Sequence, residues 1–334
     1  KVYQMGEKRT AFIYAARNLL WKLSRWDTPR LWKWVDDFSP DVIFFASGDY
    51  GFLYDIARKI AEHVNKPLVV SCVDDYYLHN RNADSLLGRL QHQLFLKKVH
   101  KTMARAARIF TICESLKGAY DALLKKPCSV LYTAASAEMQ TADTAGSGQI
   151  SFLGNLNLGR AEQLAMMGRA MKKHKGWIDV YSRERNPEYL KGLTEENGIR
   201  FHGAVSAQEV LKIITSSKAV IHTESFAPEF RDITRYSIST KIADSLMCGP
   251  CIIAFGPEGI VSIDYLKENR AAYVISDPAD LEPGLLRILS DEALRQEIVS
   301  NARTLAEKNH YPRTNPANVR RWLEEVCEAW EKQG

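Results

Sequence analysis

Residues 219–255, AVIHTESFAPEFRDITRYSISTKIADSLMCGPCIIAF, decide the fold of this chain. Ala219–Thr223 is a short, β-branched apolar run, as buried strands are, and it stops at Glu224-Ser225-Phe226. A polar loop is expected through Pro228, Arg231, Asp232 and Arg235. Ser239-Thr240 then offers an N-cap for a helix over Lys241–Met247, and Cys248-Gly249-Pro250 ends it. Cys251–Phe255 is a second buried strand. Strand, helix and strand in this order put Glu224 and the helix N-terminus at the same sheet edge. Open α/β sheets bind ligands there, and a helix N-terminus favours phosphate.

The block resembles the donor-sugar site of retaining GT-B glycosyltransferases, family 4 in particular. Glu224-Ser225-Phe226 is similar to the first half of that motif, and Asp244 stands where the family has its second acid. The run Ser225–Ala243 between the two acids is longer than the family's usual spacing. The resemblance implies an α/β, GT-B chain: two Rossmann-like domains facing across a cleft. It implies a transferase that moves a sugar from a nucleotide-diphosphate sugar to a hydroxyl acceptor with retention, in polysaccharide or glycolipid assembly. The donor is a co-substrate, and no other cofactor and no metal are implied. A catalytically reduced nucleotide-sugar scaffold and a GT-B sugar-nucleotide epimerase are the alternatives, although the epimerase's His/Glu pattern is not found.

Cys248-Gly249-Pro250-Cys251 also spells a dithiol redox motif. A redox pair opens a helix, whose dipole stabilises the thiolate. Here the first Cys closes a helix, where the dipole disfavours a thiolate, so a structural turn is expected.

Strands and helices alternate outward from this block. Asp41–Ala46, Pro67–Val73, Arg108–Cys113 and Ser129–Thr133 read as strands of a first domain, with helices over Phe52–Asn65, Ser85–Arg105 and Glu114–Leu124 between them. Val2–Met5 could be a further short strand, and Ala11–Phe38 is helical with a break at Asp27-Thr28-Pro29. Ala134–Gly148, rich in Ala, Thr, Ser and Gly, reads as a linker. The alternation restarts with Ile150–Leu153, Arg160–Lys173, Trp177–Ser182, Gly198–Phe201 and Ala207–Ser216. The expected domains are 1–135, with a returning C-terminal helix at 313–334, and 148–312. The opening strand and glycine loop of a GT-B first domain have no convincing counterpart before Asp41, so that strand is either upstream of Lys1 or absent.

A nucleotide-sugar transferase must hold a diphosphate and stabilise the negative charge that grows as the glycosidic bond breaks. Arg160, after the turn Gly154-Asn155-Leu156, and Lys241, at the helix start beside Ser239 and Thr240, are the candidate cations. By resemblance, Glu224 holds the donor sugar and Asp244 the ribose, and the backbone near Phe226 approaches the phosphate. The base is expected against Tyr181-Ser182 and the segment ending at Val205. Asp74 takes the place of the family's His in a His-Asp pair and is the candidate general base, with Asp75 beside it. Gly48 and Asp49, at the neighbouring strand end, are further acceptor-side candidates. The bland readings are a surface charge for Arg160, a helix-face partner of Lys241 for Asp244, and a turn for Gly48-Asp49.

The chain has 334 residues, a net charge of +5 and ordinary globular composition. Six cysteines without disulfide spacing suggest a reducing, cytoplasmic setting. No apolar run reaches the ~20 residues needed to span a bilayer. Between Asp84 and Glu114 there is no acid, while Arg89, Lys97, Lys98, Lys101, Arg105 and Arg108 alternate with Leu and Phe. Trp21, Trp26, Trp32 and Trp34 are mixed with Lys and Arg upstream. Both features suit an anionic membrane surface and equally a solvated helix face or core packing. The expected partners are a nucleotide-sugar donor, a saccharide or lipid-linked acceptor and an anionic inner-membrane face, with no nucleic acid.

Overall fold

Two parallel sheets result from this alternation in the computed structural model, which describes residues 10–79, 85–136, 138 and 148–332. Val2–Met5 and most of the linker after Ser136 lie outside the described residues. The chain divides into two compact units, Lys1–Leu131 with Ala317–Gly334, and Tyr132–Pro316.

In the first unit, helices α1 (Ala11–Leu23) and α2 (Pro29–Phe38) come before any strand among the described residues. Each opens on a threonine, Thr10 or Thr28, whose hydroxyl accepts from the backbone three residues on. The sheet follows: β1 (Ile43–Ser47), β2 (Leu68–Cys72), β3 (Ala106–Thr111) and β4 (Cys128–Val130), paired in that sequential order. The helices between them are α3 (Gly51–His63), α4 (Leu86–Arg105) and α5 (Glu114–Leu124). Every residue of β2 is buried, as expected for an inner parallel strand covered on both faces. The terminal helix α14 (Thr314–Glu331) closes this unit. Val326 packs with Val69 and Phe110, Trp322 lies 5.2 Å from the Phe110 ring, and the Trp330 indole donates to the Asn65 carbonyl.

The second unit contains β5 (Ile150–Leu153), α6 (Arg160–Lys173), β6 (Ile178–Tyr181), the single turn α7 (Pro187–Leu190), β7 (Ile199–Gly203), α8 (Ala207–Ser216) and β8 (Ala219–Thr223). It continues through α9 (Pro228–Thr234), α10 (Thr240–Cys248), β9 (Cys251–Phe255), α11 (Val261–Glu268), β10 (Tyr273–Ile275), α12 (Leu281–Ser290) and α13 (Glu292–Asn309). The strand order is β10-β9-β8-β5-β6-β7. The winding direction reverses between β5 and β8, and that reversal opens a crevice beyond the strands' carboxyl ends. Strand β9 shows how both faces are filled. Cys251, Ile253 and Phe255 join one core, and Ile252 and Ala254 the other.

The structure departs from the sequence reading in two places. Pro228–Thr234 is a short helix where a loop was expected. Pro228 occupies its first turn, and the Thr234 hydroxyl donates back to the Phe230 carbonyl. The unit boundary falls at Leu131, not at 135. The Ala135 amide donates to the His310 carbonyl, the His310 ring meets the Thr133 carbonyl at 2.7 Å, and Tyr132 stacks on Tyr265. These bonds hold Tyr132–Ala135 to the second unit.

Candidate active site

At the reversal, the loop after β5 and the end of β8 converge. Leu158 and Gly159 both have positive φ, 56° and 75°, and turn the chain into α6. A Cβ on Gly159 would lie 2.4 Å from the Ser225 hydroxyl, so the approach of the two loops requires glycine there. Arg160 opens α6 and crosses to β8. Its Nη2 donates to both carboxylate oxygens of Glu224, at 2.8 and 2.9 Å, and its Nε donates to the Thr223 carbonyl at 3.2 Å. Glu224 is 2 % exposed, and its amide donates to the Phe255 carbonyl across the sheet. Burial pushes the Glu224 carboxyl up, against the pull of the Arg160 guanidinium.

His222 shares this edge. Its Nε2 lies 3.0 Å from the Ser262 hydroxyl and 3.7 Å from Glu224. Burial, with the Arg160 and Lys241 charges close by, pushes the imidazole down to about 3, so it stands neutral among cations. Lys241 is in the first turn of α10. Its residue surface is exposed, but the protein around the ammonium, and then the Arg160 charge, hold it below the usual lysine range. The Ser239 hydroxyl makes no capping bond, so it leaves the first amides of α10 uncapped by a side chain. The Ser225 hydroxyl accepts from the Ala227 amide, and the Phe226 ring packs 5.0 Å from Phe255. Arg160, Glu224, Lys241, Ser225, Phe226, Ser239 and Thr240 are thus brought to one crevice. His222, Ser262 and Gly159 belong to it as well, although the sequence reading did not select them.

A second group sits at the ends of β6 and β7. The Tyr181 and His202 rings stack at 4.6 Å, and His202 Nε2 lies 2.6 Å from the buried Asp179 carboxylate. Tyr181 accepts from the Gln149 amide, and the buried Ser182 hydroxyl accepts from the Glu184 amide. Gly154 donates from its amide to the Tyr181 carbonyl, and Asn155 is exposed beside it. Val205 follows in the loop before α8, half-buried. The two stacked rings make a flat platform at the sheet edge.

Asp244 has a partner that the helix-face reading did not anticipate. Its Oδ1 accepts from both the amide and the hydroxyl of Ser136, at 2.7 and 2.8 Å. The thiols of the Cys248–Cys251 turn are free, buried and pushed up to about 11 and about 12 by burial, so neither is a thiolate at neutral pH.

In the first unit, Asp75 is buried, and its Oδ1 accepts from the Tyr77 and Leu78 amides and the Tyr120 hydroxyl. These bonds make it the anchor of the loop after β2. The Asp74 carboxylate accepts from the Asp75 amide. Asp49 accepts from the Tyr14 hydroxyl, and the Gly48 carbonyl accepts from Tyr54. Among the described residues, no group of three or more His, Cys, Asp or Glu is placed to hold a metal ion.

Residues 157–321 match the glycosyl transferase-like family. No curated protein matches the chain significantly. HepE of Anabaena, solved in complex with UDP, superposes over 88 % of this chain and 81 % of its own, with a TM-score of 0.66 at 14 % identity. Sucrose-phosphate synthase of Thermosynechococcus elongatus covers 94 % of this chain and 80 % of its own, with a TM-score of 0.65 at 12 % identity. A glycosyltransferase of Rickettsia africae covers 91 % and 83 %, with a TM-score of 0.64 at 12 % identity. The two-sheet fold is thus that of GT-B glycosyltransferase structures, and residues 157–321 carry the match to the glycosyl transferase-like family.

Proposed function

We propose that the protein transfers a sugar from a nucleotide-diphosphate sugar to a hydroxyl acceptor with retention, in the assembly of a polysaccharide or glycolipid. The observation that carries this reading is the pair of cations, Arg160 and Lys241, on the first turns of α6 and α10 at the reversal between β5 and β8. Two cations and an uncapped helix N-terminus suit a diphosphate and the charge it gains as the leaving group. A UDP-sugar is the donor favoured by likeness to HepE, which was solved with UDP and with UDP-glucose.

The other assignments follow. Glu224, fixed by Arg160, accepts from hydroxyls of the transferred sugar, and Ser225 and Phe226 shape that pocket. The Tyr181–His202 platform takes the base, with Ser182 and Val205 at its border and Gly154-Asn155 at the turn below. Asp244, with one oxygen held by Ser136, offers the other to the ribose. Ser239 and Thr240 present the α10 amides to phosphate. Asp74 is the base candidate toward the acceptor, with Gly48 and Asp49 on the same sheet edge.

Calorimetry with UDP tests the core of the proposal. Lys241→Ala is expected to weaken binding by about 1.5–3 kcal/mol, the loss of a charge-assisted bond to phosphate. Unchanged affinity would remove Lys241 from the site. Release of UDP from UDP-glucose by the wild type separates an enzyme from a scaffold that only binds.

We further propose that the enzyme works at the cytoplasmic face of an anionic membrane. Phe12, Leu20 and Leu23 of α1, Trp34 and Phe38 of α2, and Leu86 and Leu90 of α4 are exposed apolar side chains of the first unit. No described helix is long and apolar enough to cross a membrane. Three basic residues of the acid-free stretch are engaged within the protein: Lys98 with Asp55, Arg108 with Glu325, and Arg105 with the Ala61 carbonyl. Lys97 and Lys101 remain exposed. Each exposed basic residue near the surface contributes about 1 kcal/mol of attraction. Sedimentation with liposomes is expected to be strong with anionic lipid and to weaken as salt is added. Equally negligible sedimentation with neutral and anionic vesicles would show a merely solvated face.

A further inference from the structure

The first unit encloses a cavity of about 830 Å³ walled by α1, α3 and α4. Of the candidate site residues named above, Asp49 alone lines it. Its interior is aromatic: Trp21 lies stacked on Phe52 at 4.0 Å, and Phe95 meets Tyr54 edge-on at 5.5 Å. Its rim is apolar and open to solvent. Leu19 and Leu94 line it and are 56 % and 44 % exposed, on the same helices that carry the exposed apolar face. Its inner end reaches Asp49 and Tyr76, just past the carboxyl ends of β1 and β2.

The charges around it are lopsided. Lysines and an arginine supply five cations to the lining, against the carboxylates of Asp49 and Asp55. Lys98 is paired with Asp55, Lys59 with Asp27 and Arg58 with Glu62, which leaves two of the five cations without a carboxylate partner among the described residues. Lys22 and Lys97 are exposed at the opening, and neither has a hydrogen bond or ion pair among the described residues. A neutral sugar needs no such surplus of cations. A wholly aqueous anion needs no aromatic interior and no leucine rim.

We propose that this cavity binds a single-chain amphiphilic anion, a long-chain alkyl or isoprenoid phosphate, as the carrier part of the acceptor. The alkyl chain enters between α1 and α4 past Leu19 and Leu94 and packs on the aromatic wall. The phosphate meets the lysines, where charge-assisted bonds are strong. The cavity lies within the size range of ordinary small-molecule sites, and its apolar lining with a few charged groups is their usual composition. The inference rests on the glycosyltransferase reading only for the word acceptor. The binding itself is independent of it.

Calorimetry on the full chain with decyl phosphate below its micelle concentration tests the site, with decyl glucoside and inorganic phosphate as comparators. Decyl phosphate is expected to bind saturably, about tenfold or more tighter than either comparator. Ala15→Trp, on the cavity wall, is expected to cut that affinity about tenfold or more. Should that variant not fold, Lys22→Glu combined with Lys97→Glu changes only exposed residues. It is expected to weaken decyl phosphate to the same degree and to leave decyl glucoside unchanged.

UDP titrated into the same samples reports on the second unit, so a failed donor site and a failed cavity are told apart. Non-saturating uptake, or wild-type affinity in the variants, would overturn the proposal in favour of surface partition. Equal affinity for decyl glucoside would overturn it in favour of a neutral glycoside site, and equal affinity for inorganic phosphate in favour of a simple anion site.

Discussion

Arg160→Met is expected to cost the second unit about 3–5 kcal/mol of stability and to remove measurable UDP binding. Glu224 is 2 % exposed, and both of its oxygens accept from Arg160. Without the guanidinium, the carboxylate must remain buried and uncompensated or take up a proton. Either route costs most of the desolvation that the pair now offsets. Urea denaturation followed by the signal of the second unit measures the loss. The double variant Arg160→Met, Glu224→Gln leaves no buried charge, so it is expected to regain most of the stability. It is not expected to regain UDP affinity, because the cation proposed to face the diphosphate is still missing. A single variant as stable as wild type would show that water, and not Arg160, satisfies Glu224.

That pair marks where the sequence stops being informative. Helices over Glu114–Leu124, Arg160–Lys173 and Ala207–Ser216, and strands Ile150–Leu153 and Ala219–Thr223, lie at the residues the pattern suggests. Their signals are local. Ser206 and Glu209, for example, close a reciprocal capping box at the start of α8. The crevice itself is built from residues far apart in the chain. Nothing in local spacing joins Arg160 to Glu224, or His222 to Ser262. His222 also reads as an ordinary strand residue in Ala219–Thr223. Helix α9 was invisible because seven residues are too few to show a helical period. Asp75 has a structural role besides its position near a strand end. Its bonds to the amides two and three residues on are a local turn pattern that the sequence does carry. Of the basic residues on and just after α4, Lys98, Arg105 and Arg108 face protein partners that no helical wheel can supply. The charge count alone therefore overstated how many basic residues of this stretch are left to solvent.

The second unit is expected to lose about 2 kcal/mol of stability by pH 5 and about 3 kcal/mol by pH 4 through His222 alone. In the folded protein, burial holds the imidazole near 3, and the Arg160 and Lys241 charges add to that effect. Unfolded, it titrates near 6.5. Between these values the unfolded chain takes up a proton that the folded chain refuses. Stability from this group is thus complete above pH 6.5 and drains away as pH falls toward 3. The groups facing His222 are the Ser262 hydroxyl, the Glu224 carboxylate and the two cations. Glu224 acts in the opposite direction, because its raised carboxyl takes up a proton in the folded state first. His310, also held down by burial, acts in the same direction as His222. Both contributions are common to wild type and His222→Gln, whose amide can still bond the Ser262 hydroxyl. The difference between the two stability–pH curves therefore isolates the imidazole. Denaturant midpoints from pH 7 to pH 4 are expected to fall less in His222→Gln by about 3 kcal/mol over that range. Parallel curves would mean that His222 takes up its proton in the folded protein over the same pH range as in the unfolded chain.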